Sequence, residues 1–453
     1  MSNYVPIAAE ERHAMLREVG IDPASLFSHI PEELRLKRRK LDHLAEKGLS
    51  EQALLKLFDE AARQNKNLDD YDSYLGAGFY DHVVPAAVHH LINREEFLTS
   101  YTPYQQEISQ GTLQATFEWQ SFICRLSGMD VANASMYDGA SACAETALMA
   151  IRDKRKTNKV WLSAGLNPEY IECVKTYFIS HGFEYEIGEL NEHGSSAGCY
   201  PKESGYAAFI IQSPNFYGVV ENLDELSKAA HDVDALACAA MDPVAMAIFK
   251  TPGKAGLDVV FGEAQPLGAS LNYGGPALGY MCCTDKLVRK MPGRICGRTV
   301  DRDGETSYVL TLQAREQHIR REKATSNICT AQALLATAAA IHMALLGRQG
   351  LTEAAWQSAD KARYLHDELL KTGLFEEVYD APYFREFALK AKNGLDLRAL
   401  NKKLLDKKIL GGVVLENNVW LLAATEKKDK AHLDRFVASV KELAGKEENN
   451  DQL

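Results

Sequence analysis

The sequence has no excess of positive charge. Its 453 residues contain 51 lysines and arginines against 62 aspartates and glutamates, a net charge of -11. Proteins that bind nucleic acid or anionic membranes do so mainly through basic surfaces. The charge balance therefore argues against a general nucleic-acid or membrane-surface function, and it is compatible only with a local basic patch.

The sequence also lacks the cysteine and histidine spacings of metal sites. Nine cysteines are scattered along the chain, and no Cys-x-x-Cys pair occurs among them. His89 and His90 have no carboxylate or cysteine partner at metal-ligand spacing. We therefore propose no metal site, and we expect the cysteines to be reduced in an intracellular environment.

No export signal or membrane-spanning segment is evident. Met1 to Arg12 has no apolar run flanked by basic residues, as a secretory signal would. The most apolar stretch, Ala331 to Gly347, is interrupted by three polar residues and is short for a bilayer span. We expect this stretch to form a buried helix and the protein to be cytoplasmic.

Helix-like and strand-like segments alternate through the middle of the chain. Apolar periodicity predicts helices within residues 8–66 and at Thr112–Leu126, Glu169–His181 and Leu223–His231. Short apolar runs predict strands at Lys159–Ser163, Tyr206–Gln212 and Ala235–Met241. Such alternation implies α/β architecture with a mainly parallel sheet covered on both faces.

The pattern changes after the apolar helix predicted at residues 330–347. A charged amphipathic helix at residues 355–371 and a final helix at Lys430–Leu443 enclose three short strand-like runs. We therefore interpret residues 1–100 as an N-terminal helical segment and connection. Residues 101–347 are the predicted large α/β domain, and residues 348–453 the predicted small α+β domain.

The most informative segment for chemistry follows the predicted strand Ala235–Met241. Asp242 comes directly after this strand, where open α/β sheets bind ligands. An aspartate there is a candidate to pair with the cationic ring nitrogen of pyridoxal phosphate. The alternative is that Asp242 only begins a turn before Pro243.

A pyridoxal-phosphate enzyme also needs a lysine that forms an imine with the cofactor. In the fold-type I class of these enzymes this lysine follows the aspartate by about two dozen residues, at the end of the next strand. Counting 23 residues from Asp242 reaches Gln265, which has no amine. Lys250 and Lys254 lie nearby, but their polar surroundings favour solvated loop lysines.

Two other segments have both a functional and a structural interpretation. The start of the helix after Met136–Glu145 could hold a phosphate on its free N–H groups, but helix capping by Asp138 or Ser141 is the favoured alternative. The charged segment Gln313–Lys323 is interpreted as a solvated helix face with paired charges.

Several long motifs resemble the P-protein family of the glycine cleavage system, and their order along the chain matches as well. The resemblance covers most of residues 70–345. The motifs are Thr102–Gln114, Asp130–Gly139, Pro214–Gly218, Phe261–Gly268 with Tyr273–Pro276, and Arg315–Thr330.

The resemblance implies the fold of fold-type I, aspartate aminotransferase-like enzymes. This family occurs as one long chain or as two subunits, and this chain resembles the N-terminal half, the alpha subunit. The His-Lys-Thr tripeptide of the cofactor-binding half does not occur here. Pyridoxal phosphate is therefore expected on a partner beta subunit in an alpha2-beta2 assembly, with no catalytic residue in this chain and Gln265 at the lysine position.

By resemblance, the complex decarboxylates glycine and transfers the aminomethyl group to the lipoyl arm of the H-protein. Candidates for contact with the partner's site are Tyr101, Tyr104, Ser326 and Asn327, although core packing and helix capping explain them almost as well. Two other hypotheses stay open. One is a self-sufficient enzyme that uses Lys250 or Lys254, and the other is a non-catalytic scaffold or regulatory protein of the same fold.

Overall fold

The computed structural model describes residues 7–35 and 48–448. Contacts divide the chain into two units, Met1–Lys66 and Asn67–Leu453. The first unit has helices α1 (Ala9–Glu18) and α2 (Glu51–Ala62). The predicted helical character is confirmed for these two helices, whereas residues 36–47 lie outside the described residues.

The second unit contains the sheets and the remaining helices. Its helices are α3 (Ala86–Ile92), α4 (Glu95–Leu98), α5 (Gln110–Ser127), α6 (Gly139–Lys154), α7 (Pro168–His181), α8 (Leu223–Asp232), α9 (Gln317–Arg320), α10 (Ala333–Leu370), α11 (Leu397–Asp406) and α12 (Lys430–Glu448). Its strands are β1 (Asp72–Ser73), β2 (Val131–Ala132), β3 (Lys159–Ser163), β4 (Glu184–Gly188), β5 (Ala208–Ser213), β6 (Leu236–Met241), β7 (Val259–Glu263), β8 (Gly279–Cys283), β9 (Ile295–Val300), β10 (Thr306–Thr311), β11 (Phe375–Glu377), β12 (Glu386–Ala391), β13 (Ile409–Leu410), β14 (Val413–Leu415) and β15 (Val419–Ala423).

A seven-stranded sheet forms the centre of the second unit. Its strand order is β2-β8-β7-β6-β5-β3-β4. Strands β3 to β7 are parallel, and β8 is antiparallel to β7. The mainly parallel sheet is therefore confirmed. The carboxyl ends of β5, β6 and β7 lie at one edge, because these neighbouring strands run in the same direction.

Both faces of this sheet are buried. In β5, Phe209 and Ile211 pack into one apolar cluster, with residues of α5, α8 and α10. The alternate residues Ala208 and Ile210 pack into a second cluster, with α6 and α7. Successive side chains of a strand point to opposite faces, so this division shows helices covering both sides.

Helix α10 joins the two helices predicted at residues 330–347 and 355–371. The two segments meet at Gly347, whose φ of 59° and ψ of -172° are not helical. By length and composition α10 could cross a membrane. Its segment from Ala336 to Ala340 is buried in the core, as expected for the helix predicted there.

A four-stranded antiparallel sheet, ordered β11-β12-β15-β14, follows α10. It packs with α11, α12 and the last part of α10 around Leu389, Trp420 and Phe436. The short strand β1 pairs with β13. This pairing brings the segment after β1 against the C-terminal part of the chain, and that segment supplies two residues of the cleft described next.

Candidate functional site

A small cleft lies at the carboxyl ends of β6 and β7. Its walls come from four parts of the chain: the strand ends, the segment after β1, α7, and the start of β12. The cavity has a volume of about 40 Å³, which is room for a few water molecules at roughly 10–15 Å³ each. Its lining includes Tyr80, Tyr170, Asp242, Glu263, Arg385 and Glu386.

Asp242 uses both carboxylate oxygens within the protein. Oδ1 accepts hydrogen bonds from the backbone N–H groups of Val244 and Ala245, at 2.8 and 2.9 Å. Oδ2 accepts a hydrogen bond from Nη2 of Arg385. The turn interpretation is therefore confirmed, and the remaining oxygen of Asp242 faces a guanidinium group of the same chain.

Arg385 is 2% exposed and is held on several sides. Nη1 donates to Nε2 of His82. Since arginine has no acceptor, Nε2 must be the unprotonated nitrogen, and Nδ1 of His82 then donates to Glu426 Oε2 at 2.6 Å. The guanidinium also stacks on the ring of Tyr80, 3.6 Å from its centroid. A buried positive charge thus occupies the cleft beside Asp242.

Gln265 follows β7 by two residues and is 1% exposed. Its Nε2 donates to the carbonyl of Ala269 at 2.6 Å and to that of Tyr80 at 3.3 Å. Its Oε1 accepts from the N–H of Tyr80 at 3.2 Å. The amide therefore fixes the segment after β1 against the strand end.

Neither nearby lysine lines this cleft. Lys250 and Lys254 are exposed, and Lys250 forms an ion pair with Asp224 at 2.5 Å. The solvated-lysine interpretation is confirmed for both.

Two buried glutamates in the cleft were not identified from the sequence. Glu263 accepts hydrogen bonds from the N–H groups of Gly139, Gln265 and Leu278. Burial raises its pKa to about 7, although these hydrogen bonds act in the opposite direction.

Glu386 is the second of these buried glutamates. It accepts from the N–H of Ala77 at 2.6 Å and from the hydroxyl of Tyr80 at 2.7 Å, and burial raises its pKa to about 7 as well. Glu263 lies within a family-like motif that could have drawn notice to it. Glu386 has no such local signal.

The start of α6 is closed by carboxylates. Oδ1 of Asp138 accepts from the N–H of Ser141 at 2.6 Å, which confirms the capping interpretation. The N–H of Gly139 donates to Glu263 at 3.1 Å. An anionic phosphate at this helix end would meet two carboxylates.

The residues of this cleft do not fit pyridoxal phosphate. Gln265 supplies no amine for an imine. The oxygen of Asp242 that could face a ring nitrogen is paired with Arg385. The surrounding side chains leave an open volume of about 40 Å³, which is room for only a few water molecules. No cofactor chemistry follows from this cleft.

The four candidate contact residues lie in two segments that are joined by Arg294. Tyr101 and Tyr104 are 75% and 63% exposed. The ring of Tyr104 lies 5.7 Å from the guanidinium carbon of Arg294. Arg294 also donates to the carbonyl of Cys329 at 2.7 Å, within the irregular segment 324–332 that contains Ser326 and Asn327. We call residues 324–332 the presented loop.

The charged segment Gln313–Lys323 is not the continuous solvated helix that the sequence suggested. It forms two 3-10 turns and the four-residue helix α9. Arg315 points inward, and it donates to the carbonyl oxygens of Met291 and Gly293. Arg315 therefore binds backbone carbonyls. The prediction that it pairs with an acidic side chain one helical turn away is wrong.

The architecture is that of fold-type I pyridoxal-phosphate-dependent enzymes. A glutamate decarboxylase of Lactobacillus brevis superposes with a TM-score of 0.65 at 12% identity, covering 92% of this chain and 96% of that chain. An aspartate aminotransferase from Thermus thermophilus gives 0.57 at 13% identity, covering 83% and 99%. At such identities the likeness concerns the fold alone.

The chain belongs to the family of glycine cleavage system P-proteins, whose family model matches residues 2–440. A probable glycine dehydrogenase (decarboxylating) subunit 1 of Desulforamulus reducens is 46% identical, over 96% of this chain and 98% of that protein. A probable subunit 1 of Listeria innocua is 42% identical over 96% and 98%. A crystal structure of glycine decarboxylase (P-protein) in inhibitor-bound form gives a TM-score of 0.88 at 38% identity, covering 97% and 100%.

Proposed function

We propose that this chain is subunit 1, the alpha subunit, of a glycine dehydrogenase (decarboxylating). The observation that carries the proposal is the full-length similarity, at 42 to 46% identity, to proteins that bear this name. The complex decarboxylates glycine and passes the aminomethyl group to the lipoyl group of the H-protein. Its oligomeric form is an alpha2-beta2 assembly.

In this proposal the beta subunit binds pyridoxal phosphate, and the alpha subunit does not. The cofactor withdraws electrons from the glycine Cα when bound. The cleft of this chain supports the assignment of the cofactor to the beta subunit, because Gln265 has no amine and Arg385 neutralises Asp242. The alpha subunit contributes one wall of the partner's site and stabilises it.

We propose that this wall includes Tyr101, Tyr104, Ser326 and Asn327. Exposed tyrosines are typical of protein interfaces, where a rigid ring buries a large area. Asn327 is exposed, and among residues 7–35 and 48–448 its side chain has no hydrogen-bond partner. Because Arg294 contacts both Tyr104 and the presented loop, the two segments form one continuous surface.

We also propose that the assembly is cytoplasmic. All nine cysteines are free thiols, including the exposed Cys329. A reducing compartment keeps such thiols unpaired.

The test is to purify this chain alone, the beta subunit alone, and both together. Glycine decarboxylation with lipoylated H-protein is then measured for each preparation. We expect activity only in the mixture, and cofactor absorbance in the beta subunit and in the mixture but not in this chain alone. Full activity of this chain alone, with a borohydride-trapped label on Lys250 or Lys254, would favour the self-sufficient enzyme. If the two chains form a complex whose activity does not exceed that of the beta subunit alone, the non-catalytic scaffold hypothesis is favoured.

A further inference from the structure

We propose that Glu145 is a positioning residue, which acts through Ser326 to hold Asn327 in the orientation that the partner subunit requires. This inference rests on the proposed function, because it assigns Asn327 to the surface that faces the partner. Glu145 itself does not reach that surface. Its effect passes through the presented loop.

The presented loop is fixed at its start by a backbone hydrogen bond from the N–H of Thr325 to the carbonyl of Arg315, and beyond that point by side chains. The N–H of Cys329 donates to the hydroxyl of Tyr137 at 3.0 Å, and the N–H of Gln332 donates to Oγ of Ser135 at 2.8 Å. Arg294 donates to the carbonyl of Cys329. Ser135 and Tyr137 precede α6, so the segment leading into this helix forms a platform for the loop.

Glu145 fixes the part of the loop that carries Asn327. The hydroxyl of Ser326 donates to Glu145 Oε1 at 2.7 Å. The same hydroxyl accepts from the N–H of Ile328 at 3.1 Å. One serine side chain therefore constrains the residues on both sides of Asn327, and its orientation is set by the carboxylate.

Glu145 is a charged residue within the buried part of α6. It lies on the second turn of the helix and is 2% exposed. Burial raises its pKa, and the hydrogen bond from Ser326 and the charge of Arg152 act in the opposite direction. Nη2 of Arg152 is 3.5 Å from Oε2 of Glu145, too long for a strong hydrogen bond. The contact with Ser326 is thus the short hydrogen bond of this carboxylate.

A carboxylate so placed can orient the loop before the partner arrives. Ordering a loop on binding reduces affinity, since the lost conformational entropy opposes association. A loop already held by Glu145, Tyr137 and Arg294 avoids much of that loss. Asn327 then offers both an amide donor and a carbonyl acceptor to a polar group of the partner.

The first measurement is hydrogen exchange of the backbone amides of residues 324–332 in the chain alone. Glu145→Leu, which removes the acceptor of the Ser326 hydroxyl, and Ser326→Ala should each speed exchange at Ile328 by about tenfold, which corresponds to the loss of one hydrogen bond. Glu172→Leu is the matched control, because Glu172 is exposed on the neighbouring α7 and, within the described part of the chain, its carboxylate pairs with Lys175. It should leave exchange in the loop unchanged.

The second measurement is the kinetics of glycine decarboxylation by the assembled enzyme. We expect Asn327→Ala, Glu145→Leu and Ser326→Ala each to lower kcat/KM for glycine by about tenfold. Combining Glu145→Leu with Asn327→Ala should lower it no further than Asn327→Ala alone. Effects that are not additive are expected when one residue acts through the other.

The outcomes separate this inference from the proposed function. Faster loop exchange with unaltered kinetics, additive losses in the double variant, or an inert Asn327→Ala would each overturn the positioning role. A wild-type mixture without decarboxylase activity would instead overturn the proposed function, whatever the loop exchange shows. Should Glu145→Leu fail to fold, Ser326→Ala breaks the same connection from the surface side and carries both measurements.

Discussion

Asp242 and Arg385 form an ion pair across the cleft, between the end of β6 and the residue that precedes β12. The two residues are 143 positions apart in the sequence, and both are largely shielded from water. The pair joins the seven-stranded sheet to the four-stranded sheet. It also places the positive charge of a side chain next to Asp242, the residue that the sequence marked as a candidate to pair with a cofactor ring.

Removal of Arg385 should strongly destabilise the protein. Arg385→Met leaves Asp242 without its charged partner and breaks the hydrogen bond to His82. Breaking a buried ion pair from one side typically costs about 3–5 kcal/mol. Urea unfolding measures the loss. Arg398→Met, at an exposed position of α11, is the control and should change stability by no more than about 0.5 kcal/mol.

The ion-pair explanation also predicts the double variant. Asp242→Asn with Arg385→Met should be less destabilised than the sum of the two single variants, because no unpaired charge remains. Additive losses would show that the two side chains stabilise the cleft independently.

Stability should fall as the pH rises through the range in which Glu386 ionises. Burial raises the pKa of Glu386 from 4.5 to about 7. The folded protein then binds a proton that the unfolded chain has lost, so the associated stability is complete below pH 4.5 and is lost toward pH 7. The effect is on the order of 3 kcal/mol for this group.

Glu386→Gln should make this decline shallower, and Glu263, whose pKa burial also raises to about 7, should account for part of the decline that remains. A glutamine can still accept from the N–H of Ala77 and can donate to the hydroxyl of Tyr80, but it does not titrate. Unfolding free energies at several pH values between 4.5 and 8 provide the comparison. An unchanged pH dependence in this variant would mean that Glu386 does not carry the proton.

Gly218 allows the close approach of the large sheet to β12. Its φ is 89°, and a Cβ there would collide with the carbonyl oxygen of Glu386. Gly218→Ala should therefore cost at least about 2 kcal/mol, since both the left-handed backbone and the collision oppose it.

Gly304 provides a matched control for this substitution. Its φ is 87°, but a Cβ there has open space. Gly304→Ala should cost only about 1–2 kcal/mol, for the backbone conformation. Equal losses in the two variants, measured by thermal unfolding, would remove the collision from the explanation.

A lysine at position 265 should not be sufficient to create a cofactor site. Gln265→Lys supplies an amine, but Arg385 still occupies the cleft and the cavity stays near 40 Å³. After incubation with pyridoxal phosphate and borohydride, we expect no label on Lys in this position by peptide mapping. A labelled peptide that spans residue 265 would show that the missing amine alone prevents binding.

The sequence predicted much of the sheet but not the interior of the cleft. The strand predicted at Lys159–Ser163 and the helix that ends before Gly128 agree with β3 and α5. These elements have local signals, namely apolar periodicity and a glycine in the left-handed conformation after the last turn. The turn at Asp242 likewise follows from its own neighbours.

The cleft residues that the sequence did not predict were missed for one physical reason. Arg385 and Glu386 begin an ordinary-looking strand, and Tyr80 lies in an irregular segment before α3. Nothing in those local patterns indicates that tertiary folding brings them to the ends of β6 and β7. Periodicity describes which face of an element is buried, and it does not identify the partner that a buried polar group will meet.

The ion pair in the cleft also has a consequence for the maturation of this chain. Both charges belong to the same chain, so the electrostatic interaction that joins the two sheets needs no bound small molecule. We therefore expect the free energy of unfolding of the chain alone to stay the same when pyridoxal phosphate is added, because a ligand raises that free energy only when it binds the folded state.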